Sequence, residues 1–342
     1  MTGTIGIGYQ ALTALTSGTS NTAIGYVSMA ANTNSSNNTA VGYYALGNMD
    51  GGNGANTAVG NLAMLANTTG ATNTAVGDNA SRLNQTGVDN VAVGRSALYS
   101  NTTSYNTAVG LEAMYSTTTG GANTAVGFQS LHGDTDGDGA DNTAIGHKAL
   151  HDAISPSKNV AIGDSAMRAM NGTANGIAQC VAIGANAFFG DADNTTTGTD
   201  GTTAIGYNAL FSLTTGAQNT AIGSYNSDDI TTGGFNTSVG RSTLGALTAG
   251  SHNIALGRAT LTTAADDESD NIAIGNSAIG AAKQDGTASS TNREVKRNVA
   301  IGTDALIGGT LTGTNHLEGN IAIGYQAMDA TGANNQIGTI AI

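Results

Sequence analysis

The stretch Asn56-Thr57-Ala58-Val59-Gly60-Asn61-Leu62-Ala63-Met64 decides the fold, because the chain repeats it from end to end. It returns as Asn106-Thr107-Ala108-Val109-Gly110-Leu111-Glu112-Ala113-Met114 and, anchored on its glycine, occurs in 18 copies between Gly8 and Gly324. Most anchors lie 17 residues apart, with longer steps of 21 and 22 around Gly184, 27 between Gly275 and Gly302, and 22 into Gly324. A fixed short period is the signature of stacked structural units. No linker or change of composition interrupts the array, so the sequence reads as one repeat domain spanning residues 1–342.

The columns say more than any single copy. The residue before the glycine is Ile, Val or Leu in all 18 copies, and the one before that is Ala in 16. Three before stands Thr, Val or Ile, and four before stands Asn in 15. Three and four after the glycine come Ala and then Leu or Met in most copies. Gly, Ser, Thr, Asn and Asp fill the intervals, as turn residues do. Seventeen residues are too few for a helical hairpin, and Thr, Val, Ile and Asn are weak helix formers. Alternation ending in Gly reads as a short strand and a tight turn, and the Ala-Leu segment reads as a second short strand. The expected fold is all-β: a parallel β-roll, or β-solenoid, of about 18 short coils.

Alternate strand residues face opposite sides. The aliphatic row, joined by Leu/Met, is expected to fill the coil, leaving a flat Ala row outside. On that reading Ala40, Ala58, Ala75, Ala92, Ala108 and Ala125 pack against sister chains, and a trimer is expected because so narrow a coil buries too little alone. For the Asn column two readings stay open: an amide ladder between coils, or side chains that merely tolerate a turn conformation.

Composition limits function. The chain has 342 residues, 50 of them Gly, about 4% aromatic and no Trp, with a net charge of −13. Such acidity disfavours nucleic acid, whose phosphates need a basic stripe. No apolar run approaches a membrane span. No nucleophile elbow or phosphate loop stands in the required strand-to-helix context, so catalysis and cofactors are not expected.

Asn21-Thr22-Ala23-Ile24-Gly25, Asn90-Val91-Ala92-Val93-Gly94 and Asn159-Val160-Ala161-Ile162-Gly163 resemble the head repeats of YadA-type trimeric autotransporter adhesins. They resemble still more the Asn-Thr-Ala-Val-Gly-Tyr-x-Ala-Leu arrays of phage tail-fibre proteins. The resemblance implies a left-handed, trimeric parallel β-roll whose work is surface attachment, on a cell surface or a virion, through a glycan or protein receptor. An alternative is a filament subunit stacking end to end through Ile5, Ile7, Ile340 and Ile342, with a mechanical role. An ice-binding solenoid is a weaker expectation, since the Thr column breaks at positions such as Val91 and Val160 and alternates with residues placed inside.

Local candidates follow. Asp134, Asp136 and Asp138 alternate as in a calcium loop, with Gly139 for the bend, although the twelfth position is Ile145 instead of a bidentate acid. An acidic surface turn is the competing reading. The longest step carries Lys283, Arg293, Lys296 and Arg297, four of the chain's 11 basic residues, and reads as a binding loop or a tolerated insertion. Tyr9, Tyr26, Tyr43, Tyr207 and Tyr325 follow their glycines; aromatics on a flank could stack on sugars, but the column also holds Asn61, Asp78, Arg95 and His147, so scattered, half-buried tyrosines are expected.

Overall fold

A computed structural model describes the whole chain except residues 1, 134–138, 171–176, 191–195, 197, 263–267, 281–294, 308–315 and 330–335. The chain divides into two compact units, residues 1–171 and 172–342. Each is a β-solenoid, and no helix occurs among the described residues. In the first unit ten strands of three residues each, from Ile5–Ile7 to Val160–Ile162, pair in parallel with the next copy. The pairing is column on column: Thr57 with Thr74, Ala58 with Ala75, Val59 with Val76. The second unit stacks nine strands, from Val181–Ile183 to Ile340–Ala341, in the same register. A smaller parallel sheet of Val295–Lys296, Leu317–Glu318 and Gln336–Ile337 accompanies it.

The segment after the glycine differs from the expected second strand. It is a run of turns in which the second and fourth residues are left-handed: Leu62 at φ 56° and Met64 at 50°, Ser96 at 56° and Leu98 at 52°. Alternating the sign of φ flips successive peptides. Leu62 N–H therefore donates to Tyr43 of the preceding coil, and Met64 N–H to Ala80 of the following one, each at 2.9 Å. An L-residue in this conformation costs about 1–2 kcal/mol. Two-way hydrogen bonding and burial of the Leu/Met side chain offset that cost. Glycine is obligatory at the anchor, because Gly60 has φ +143° and a Cβ there would lie 2.2 Å from the Gly77 carbonyl oxygen.

The two faces of the strand are the reverse of the expectation. Ala40, Ala58, Ala75, Ala92, Ala108 and Ala125 are all 0% exposed within the single chain, so they line the coil interior and cannot pack against a sister chain. The Val/Ile row lies outside: Val76 is 38% exposed, and Val93 and Val126 are 36%. The parity of the strand was correct; the choice of face was not. The reason is volume. Ala58, Ala63, Met64 and Asn56 are fully enclosed in one coil, and the narrow cross-section admits no larger aliphatic at the strand.

Of the two readings of the asparagines, the ladder is the one realised. Asn90 N–H donates to Asn73 Oδ1 at 3.0 Å, and Asn90 Oδ1 accepts the Asn106 N–H at 2.9 Å. Asn90 Nδ2 also donates to the Thr103 carbonyl of the next coil at 2.8 Å. The turn conformation belongs instead to the preceding residue, as at Asp89 with φ 56°. Such bonds matter because a buried amide without partners costs about 1–3 kcal/mol per group.

Candidate interaction surfaces

The outward face of each sheet carries two side chains per strand. Thr39, Thr57 and Thr74 stack in one column, and Val41, Val59 and Val76 in the other. In all 18 copies neither outward position holds a charged residue, although the chain carries 24 acidic and 11 basic side chains. Each unit therefore presents a charge-free apolar strip, with exposed rungs at Ile24, Val76, Val93, Val126 and Ile145 in the first and Ile183, Ile222, Val239, Ile301 and Ile323 in the second. Contiguous apolar surface on this pattern marks an interaction face. Parallel sheets in particular are found with both faces covered.

The turn segment presents a second kind of surface, built from columns of like side chains. Tyr9, Tyr26 and Tyr43 stack with centroids 5.2 and 5.4 Å apart and remain exposed, a local ladder where scattered tyrosines were expected. Five residues after the glycine another ladder runs through Tyr99, Tyr115, His132 and His151 at 4.9, 5.4 and 5.0 Å. Arg82 caps it over Tyr99, and Asp152 Oδ1 lies 2.5 Å from His151 Nδ1. Coil-to-coil stacking places identical columns in contact at strand spacing. The signal was present in the sequence as aromatics recurring at one repeat phase.

Of the basic candidates, Lys296 lies in the strand Val295–Lys296 and Arg297 forms an ion pair with Glu318 of the next coil. Lys283 and Arg293 lie outside the described residues, as do Asp134, Asp136 and Asp138. Ile5, Ile7 and Ile340 are 51%, 58% and 67% exposed and Ile342 is 92% exposed; Ile5 and Ile7 pair with Thr22 and Ile24, and Ile340 with Ile321. No group of three or more His, Cys, Asp or Glu able to hold a metal occurs among the described residues. Cys180 replaces Asn in the ladder, is fully buried, and its thiol is pushed up to about 11 by burial. It is a thiol, not a thiolate, at neutral pH.

Comparison of the chain with protein-family models and with curated proteins gave no match.

Proposed function

We propose that this protein is a non-enzymatic fibre module, extracellular or virion-borne, that mediates surface attachment. Sister chains cover its Thr/Val face, three of them by analogy with the adhesin heads that its repeats resemble. One observation carries this reading: the coil interior is complete within one chain, yet a charge-free aliphatic strip runs along the outside of each unit. A face kept free of charge on an acidic chain serves contact, since interfaces exclude charge from their centres. The turn flanks, with their polar and aromatic columns, are left to meet a receptor.

Mass measurement under native conditions tests the association. A threefold assembly of the 33.7 kDa chain is expected; a monomer at micromolar concentration would overturn it. Electron microscopy of the same sample separates discrete particles from long fibres of constant width, which would favour the filament alternative.

A second reading rests on the same face. Thr and Val/Ile both point outward, so the Thr column alternates with exposed residues and not, as expected, with interior ones. Flat Thr rows can order water. The column still breaks at Val91, Val160, Val181, Ile254, Ile272, Val299 and Ile321. A thermal-hysteresis assay on the purified chain decides it, and no activity is expected.

A further inference from the structure

The column five residues after the glycine varies in side-chain size along the chain. It holds Thr13, Ala30 and Gly47 and then Leu65, Arg82, Tyr99 and Tyr115 in the first unit, and Phe189 and Phe211 at the start of the second. It then passes through Asp228, Gly245 and Thr262. Gly245, like Gly47 and Gly280, places no side chain in this column, and it lies between Asp228 and Thr262. A shallow cleft of about 440 Å³, open to solvent, lies there, lined by Tyr225, Asp228, Arg241, Ser242, Gly245 and Thr262.

The lining has a specific chemistry. Tyr225, two residues after its glycine, stands at 80° to Tyr207 with centroids 5.1 Å apart, edge to face, much as Tyr44 stands at 60° to Tyr43. In this arrangement Tyr225 is 38% exposed, so part of its ring meets solvent. Asp228 is half-buried and Arg241 exposed, and neither has an ion-pair partner among the described residues. Burial, with the Asp229 charge adding to it, holds the Asp228 carboxyl above the usual carboxylate range. A Cβ at Gly245 would lie 3.6 Å from Asp228 Oδ1, so any side chain there would stand over the carboxylate.

We infer that this cleft binds a neutral hexopyranose unit of a surface glycan. The aromatic face takes the C–H face of the sugar, whose hydrogens carry partial positive charge toward the negative ring face. Asp228 accepts hydrogen bonds from adjacent hydroxyls, Arg241 donates to ring or hydroxyl oxygens, and Ser242 and Thr262 do either. The opposite charges of Asp228 and Arg241 offset one another, which suits an uncharged sugar. The inference deepens the attachment reading by naming its ligand class, and in that sense rests on it.

Saturation-transfer NMR on the full chain, with glucose, galactose, N-acetylglucosamine and N-acetylneuraminic acid as separate probes, tests the cleft. Transfer to at least one neutral sugar is expected, with affinity on the order of millimolar for a single unit. It should fall at least about fivefold in Gly245→Leu, which fills the cleft with the residue that Leu65 supplies elsewhere, and in Tyr225→Ala. The control Ser17→Ala, at an exposed loop position of the first unit, should keep it. Gly245 has no positive φ, so Leu is compatible with its backbone; circular dichroism checks that each variant is folded. No transfer to any neutral sugar, transfer to N-acetylneuraminic acid alone, or undiminished transfer in both cleft variants would overturn the assignment. Native mass on the same samples reports association separately, so a failed cleft is distinguishable from a failed oligomer.

Discussion

Ser238 occupies a column that is alanine in 16 of 18 copies, and its hydroxyl is enclosed. It is tolerated because Asn226, also in place of an alanine, is buried beside it and accepts its hydrogen bond. Ser227 completes the group, donating to Asn226 Oδ1 at 2.9 Å and lying 2.8 Å from Ser238 Oγ. Asn226 Nδ2 in turn donates to the Gly240 carbonyl at 2.8 Å. A satisfied polar cluster in a core is worth little net, but breaking one member strands the others. Asn226→Ala alone should therefore cost about 1–3 kcal/mol. The triple change Asn226→Ala, Ser227→Leu, Ser238→Ala restores the commonest residues of these columns and should be neutral or stabilising. Urea unfolding of the unsubstituted chain, the single variant and the triple variant measures this; a triple variant as unstable as the single one would show that the three do not act as a unit.

At the scale of the element, the ladder from Tyr99 to His151 couples one side-chain column to pH. His132 is sandwiched between Tyr115 and His151. Burial first, and then the charge of His151, hold its imidazole below the usual 6.5. A depressed histidine pKa means that the unfolded chain takes up the proton more readily. The stabilisation is complete above about pH 6.5 and is lost as pH falls through that value toward the folded pKa. The thermal midpoint should decline between about pH 7 and pH 5. His132→Phe, which keeps the stack but cannot be protonated, should show a smaller decline. Equal declines followed by circular dichroism would mean that the ladder does not sense pH.

For the whole molecule, the decisive property is the outward aliphatic row. Val76, Val93 and Val126 sit on adjacent or nearby rungs, each more than a third exposed, and none fills the coil. Replacing all three with Lys should leave the solenoid folded, since a Lys stem can lie along the sheet while its ammonium reaches water. It should abolish association, because an interface centre cannot desolvate three unpaired charges. An unchanged native mass in this variant would remove the Thr/Val face from the assembly.

The repeat, its phase, the all-β class and the parallel stacking were legible in the sequence because each is a property of periodicity. Asn56 to Gly60 announces one strand and one turn wherever it recurs. The Asn ladder was legible as one of two options, and the three-dimensional spacing of coils chose it. What the tertiary structure alone decided was sidedness. Period two assigns Ala58 and Asn56 to one face and Thr57 and Val59 to the other, but does not say which face is in. Hydrophobicity favours Val inside; the coil's narrow section favours Ala, and volume won. Two sequence facts agree with that outcome: Ala scarcely varies, as a tightly filled site requires, and burying Thr57 beside Val59 would have stranded a hydroxyl. The left-handed turn run after Gly60 was equally hidden. Its hydrogen bonds run to the coils on both sides, and no pattern within a single copy records a bond to its neighbours.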